Sequence, residues 1–113
     1  MNINSHTLLW TNPSPSSAFN PQTISLDLSQ YKYVVITYKT YSSHDTTDRG
    51  SVFLPLWVGF GCLVVGKPSD AFFSRTFTLS STGVSFYIGG YVNASSASDT
   101  PDACIPLKIY GVK

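Results

Sequence analysis

Apolar and polar side chains alternate with a period of two along most of this chain, as in strands with one buried face. Over 22–28, Ile24, Leu26 and Leu28 share one face and Thr23, Ser25 and Asp27 the other. Over 72–79, Phe73, Arg75, Phe77 and Leu79 fall together, and Val84, Phe86 and Ile88 continue the core with Ser85 and Tyr87 outward. In the last ten residues Ile105, Leu107 and Ile109 oppose Pro106, Lys108 and Tyr110, a terminal strand of the kind that is tied into a sheet. A first strand over 7–11 supplies Leu9 and Trp10, and 1–6 reads as a loose N-terminal lead-in. Breakers separate these runs. Pro13 and Pro15 forbid regular pairing, Ser29-Gln30 and 67–70 turn the chain, and 80–83 is a hairpin connection with Gly83 free to take a positive φ. The polar stretches 42–50 and 93–102 read as exposed loops, the second of them mobile.

Alternation fails in two places, both toward excess apolarity. Within the long strand over 31–41, Val34, Val35 and Ile36 are apolar in succession, so both faces need cover. The runs 52–58 and 60–65, separated by Gly59, hold more apolar side chains than one sheet face can use. Exposed surface of that extent drives association or aggregation. Val35, Phe53, Trp57 and Phe60 are therefore the candidate oligomer-interface residues.

About eight short strands with tight connections predict an all-β fold, an antiparallel two-sheet sandwich of jelly-roll-like form. Composition agrees. Glu is absent, seven Tyr, seven Phe and two Trp are present, and residues that favour helices are scarce. At 113 residues with no internal repeat, 1–113 reads as a single domain. Charged residues make up only 12% of the chain at a formal net charge of +1. The scattered Lys and Arg form no basic stripe, which argues against nucleic-acid binding. So little charge on a small chain is a second sign of surface covered in an oligomer. No apolar run has membrane-spanning length and the opening residues carry no basic leader, so membrane insertion is not expected and synthesis is cytoplasmic.

Candidate chemistry is sparse. Cys62 and Cys104 are too few for a disulfide scaffold and read as two buried thiols. His6 and His44 stand apart, with His44 beside Asp45 in a solvated loop. The pairs Asp45/Asp48 and Asp99/Asp102 are spaced as loop residues that bind calcium, without the Gly and Glu of a defined calcium loop. No cofactor, resident metal or catalytic constellation is expected, and the chain does not read as an enzyme. Aromatics are the better functional clue. Most tyrosines belong to the core or to cross-strand pairs, but Tyr41 and Tyr91 each border a long polar loop. With His44 they are the candidate surface-recognition residues.

Three segments carry a resemblance to a known family. They are Leu9-Trp10-Thr11-Asn12-Pro13-Ser14-Pro15 leading through Phe19 to 22–29 and Tyr31, then Phe77-Thr78-Leu79-Ser80-Ser81-Thr82-Gly83-Val84-Ser85-Phe86, and the terminal 104–113. Together they span about half the chain, which resembles small β-sandwich modules of tailed-bacteriophage virions. Tail fibres and receptor-binding proteins of phages of Gram-positive gut bacteria are the nearest in kind. The resemblance implies a virion structural protein, typically a homotrimer. Its partners would be other copies of itself, other virion proteins and a host cell-surface polysaccharide. It implies no binding residues position by position. Fibre modules usually follow a shaft or attachment region, whereas here the sandwich pattern begins almost at Met1. A stand-alone virion protein and an excised fragment both fit that pattern. A capsid-decorating or head-fibre protein is an alternative within the same class. A monomeric carbohydrate-binding module, with calcium in the Asp loops, is the alternative outside it, and a hydrolase is a third class.

Overall fold

The computed structural model describes residues 6–43, 50–67 and 71–113, with the side chain of Lys67 left aside. His44, Asp45 and Asp48 lie outside the described residues. Nine strands are present among the described residues: β1 (His6–Thr11), β2 (Gln22–Ser25), β3 (Tyr33–Lys39), β4 (Gly50–Pro55), β5 (Phe60–Lys67), β6 (Ala71–Ser80), β7 (Gly83–Val92), β8 (Ala97–Thr100) and β9 (Ile105–Val112). They form two antiparallel sheets, one in the order β1-β9-β3-β4 and the other β2-β7-β6-β5 with β8 on β7. First and last strands pair, β1 on β9, and β2 closes on β7, which gives the jelly-roll-like wrapping. β3–β4 and β5–β6–β7 are simple meanders, and the chain changes sheet at the corner between β4 and β5.

The core lies between the sheets. Val34, Ile36 and Tyr38 of β3 and Ile105 and Ile109 of β9 meet Phe73, Phe77 and Leu79 of β6 and Val84 and Phe86 of β7. The expected alternation of β6 is realised in full, with odd-numbered residues inward and even-numbered residues at the surface or partly covered. Phe19 joins from the loop after β1 and packs edge-on against Phe86 at 5.4 Å. Asn12 fixes that loop. Its amide donates to the Leu107 carbonyl, its side-chain nitrogen donates to the Pro106 carbonyl, and its side-chain oxygen accepts from the Ser14 amide, each at 2.8 Å.

Several expectations need correction. The stretch 93–102 is an ordered return, with β8 paired to β7 and the Pro101 carbonyl accepting the Phe19 amide at 2.9 Å. Polar composition signals a loop but is silent on such backbone bonds. His6, read as part of the loose lead-in, is the first paired residue of β1, opposite Val112. Pro106, expected outward, is buried along with Ile105 and Leu107. The register of β3 on β9 shifts between Thr37 and Tyr38, and this irregularity breaks the alternation there. The run 52–58 is part strand and part 3-10 turn (Leu56–Val58), ended by Gly59 at φ 82°, where a left-handed conformation suits glycine. Cys62 is exposed on β5 and only Cys104 is buried; both thiols are free.

Candidate functional site

The strongest surface feature is the outer face of the β1-β9-β3-β4 sheet. Inward positions of β3 are taken by Val34, Ile36 and Tyr38, so Tyr33, Val35 and Thr37 point outward. Cross-strand pairing then sets Val35 beside Phe53 on one side and Tyr110 on the other. Tyr110 pairs in turn with Leu8, and Val112 with His6. A row of apolar groups thus crosses all four strands. The Tyr33 and Phe53 rings stack at 5.0 Å, and the His6 ring stands edge-on to Tyr110 at 5.7 Å. Between them, His6, Val35, Phe53, Tyr110 and Val112 line a shallow cavity of about 220 Å³. Phe53 is 52% exposed and Leu8 49%. Four strands at about 4.8 Å by some six residues at about 3.3 Å make this face roughly 400 Å² in projection. That is the size of the largest patch an ordinary monomer carries. Lys108 is the one Lys or Arg among the outward residues of these strands.

A second feature lies at one end of the sandwich. Trp57 sits in the 3-10 turn between Pro55 and Gly59 and is 84% exposed. The turn is held from both sides, since the Leu56 amide donates to the Lys32 carbonyl and the Leu79 amide to the Gly59 carbonyl, both at 2.8 Å. The indole borders an open cleft of about 480 Å³, lined also by Tyr31, Lys32, Tyr33 and Leu56 and by Ser80 and Ser81 of the β6–β7 hairpin.

The residues expected to form one interface are divided by the fold. Val35 and Phe53 share the outer face just described, Trp57 stands at the corner, and Phe60 begins β5 in the other sheet, 65% exposed. Of the expected recognition residues, Tyr41 and Tyr91 come together on Phe73, at ring-centroid distances of 5.6 and 5.0 Å. Both are half-buried and pack against the core. His44 lies outside the described residues. Sequence reading missed His6, Leu8, Tyr33, Tyr110 and Val112 on the apolar face. The alternation sets Tyr110 outward, opposite Ile109, but cross-strand neighbours have no signature in a single sequence. It also missed Lys32, Ser80 and Ser81, which meet Trp57 through tertiary packing alone.

Buried polar chemistry serves the fold. Arg75 is 1% exposed, its Nε donating to the Ala103 and Cys104 carbonyls at 3.1 Å and its two terminal nitrogens to Tyr87 at 2.6 Å and Pro101 at 2.9 Å. The guanidinium also lies 5.3 Å from the Phe19 ring centre. Burial draws its pKa down to about 10, and burial pushes the Cys104 thiol up to about 12. An inert thiol of that kind is no nucleophile. Asp102 accepts the Ser42 amide at 2.6 Å, and among the described residues no three His, Cys or Asp side chains gather at metal-binding range. No protein-family model, curated protein or solved structure matches the chain.

Proposed function

We propose that this chain is a non-catalytic structural module of a bacteriophage virion, of tail-fibre or receptor-binding type, that assembles with copies of itself and contacts the host cell surface. One observation carries the assembly half: the apolar, nearly uncharged outer face of the β1-β9-β3-β4 sheet. The occupant of that face is a second copy. A face without clustered charge can meet its own kind, whereas like charges set opposite one another would repel. In a homotrimer the same face of each copy turns toward the threefold axis and is covered by two neighbours. At roughly 25 cal/mol per Å² of apolar surface, withdrawing a face of about 400 Å² per copy from water yields at most about 10 kcal/mol before the cost of association, since Thr37, Ser51 and Lys108 share the face. Stable protein interfaces cover about 800 Å² per partner, so the rim of the face must contribute as well. The virion setting rests on the three segments that resemble phage modules.

Thiol labelling gives a direct test. Cys62 faces solvent from β5, in the other sheet. In the assembled protein it should react with maleimide at the rate of an open thiol, while Phe53 and Tyr110 become protected from oxidative footprinting. Protection of Cys62 with open Phe53 would place the contact on the wrong sheet and refute this assignment. For the recognition half, purified protein should adsorb to host cells and compete with phage. Failure to compete would favour the capsid-decorating or head-fibre alternative.

A further inference from the structure

We propose that the cleft beside Trp57 is a saccharide-binding site, taking hexopyranose units of a polysaccharide chain. It gives the host-contact reading a location and rests on that reading for the source of the polymer. Three properties of the cleft favour this class of ligand. First, the backbone that carries the platform is fixed. Trp57 is 84% exposed, yet its turn is fixed by the Leu56–Lys32 and Leu79–Gly59 backbone bonds. Holding the turn rigid leaves a large aromatic ring presented to water and spares a ligand the cost of ordering the loop, so only the side-chain rotamer remains to be fixed. Second, an indole face is electron-rich, and the C–H groups on the flat side of a pyranose ring are its complement. Third, the surrounding groups suit a polyol. Lys32 is an exposed cation and Ser81 an exposed hydroxyl, and Ser80 shares a hydrogen bond with Thr82 at 2.9 Å. Such donors and acceptors match sugar hydroxyls, whereas a protein partner of the apolar kind would want a dry surround. The cleft is open, so a chain can lie across it with one ring on Trp57. Tyr33 belongs to both this cleft and the apolar face, so assembly would bring the recognition site to the rim of the oligomer.

The sequence-based candidates Tyr41 and Tyr91 fit this role less well, because both rings are partly committed to Phe73. Trp57 leaves the list of interface residues and becomes the recognition residue.

The test is a titration of the full chain with cellohexaose and chitohexaose. In the Trp10→Phe background Trp57 is the one tryptophan, and a saturable change in its selectively excited fluorescence is expected with at least one of the two sugars. By calorimetry, Trp57→Ala should weaken that binding about tenfold or more, and Lys32→Ala or Ser81→Ala should weaken it less. The melting temperature and solution mass of Trp57→Ala should equal those of the wild type. No binding of either hexaose at millimolar concentration would overturn the proposal. So would binding indifferent to Trp57→Ala, or a change of solution mass in that variant, which would return Trp57 to the interface. A monomeric chain that binds sugar through Trp57 would sink the assembly reading and leave this one standing. An oligomer that binds neither hexaose would do the reverse.

Discussion

A guanidinium sealed inside a sandwich is destabilising unless its N–H groups find oxygens. Arg75 meets carbonyls of Tyr87, Pro101, Ala103 and Cys104, and so ties the return before β9 to the middle of β6. Arg75→Met should therefore lower stability by about 3 kcal/mol or more, since four carbonyls lose a buried donor. Arg75→Lys should recover only part of it, because one ammonium cannot span that fork. Urea denaturation of both variants measures the difference. Cys104 gives a pH prediction. Its thiol ionises at about 12 in the folded chain, against an ordinary value of 9.0. The folded state thus holds the proton that the unfolded state releases between those values. The contribution of this thiol is constant below about pH 9 and falls as pH rises through the interval, by at most about 1.4 kcal/mol per unit. Denaturation midpoints at pH 8 and 10.5 should diverge in the wild type and diverge less in Cys104→Ala. Equal divergence would exclude Cys104 as the source. The inward position of Arg75 was legible in the alternation of β6. Its partners were not, because carbonyl oxygens belong to every residue type.

At the scale of elements, the β6–β7 hairpin and its contact with β2 depend on one glycine. Gly83 has φ 153°, and a Cβ there would meet the Ile24 carbonyl oxygen at 2.2 Å. Gly83→Ala should push β2 off β7 and cost about 2 kcal/mol or more, with hydrogen exchange accelerated at Ile24 and at Leu26, whose amide donates to the Thr82 carbonyl. Unchanged protection there would show that the edge strand can yield. The hairpin was readable from Ser80-Ser81-Thr82-Gly83, since the local turn and its glycine lie side by side in the chain. The ordering of 93–102 was not readable. A Ser/Ala/Asp run has the composition of a free loop, and what holds it is a short strand on β7, the buried Arg75 and the Asp102–Ser42 bond. Likewise the surplus of apolar residues in 52–65 was visible, but its division among β4, a 3-10 turn and β5 was not. Gly59 looks the same in sequence whether it marks a bulge or a change of sheet.

For the whole molecule, the two surfaces proposed to carry function are an apolar sheet face and an aromatic cleft at its margin. Charge on the face should separate assembly from folding. Phe53→Asp and Val35→Asp replace outward side chains that the core does not use, so each should keep a melting temperature near the wild type while dissociating the oligomer. A large loss of melting temperature together with dissociation would mean that the monomer does not stand alone. The sandwich class followed from period-two patterning and aromatic-rich composition. The apolar face needed the pairing of β1 with β9, about 100 residues apart, and of β9 with β3, about 70 residues apart, which only the folded chain supplies. The most direct measurement is solution mass by light scattering across a dilution series, for the wild type and Phe53→Asp. The expected result is a stable multiple of 12.3 kDa, three copies for the virion module, that collapses to a single copy in the variant. A wild-type chain that stays at one copy at every concentration would contradict the assignment of the β1-β9-β3-β4 face as a self-association surface.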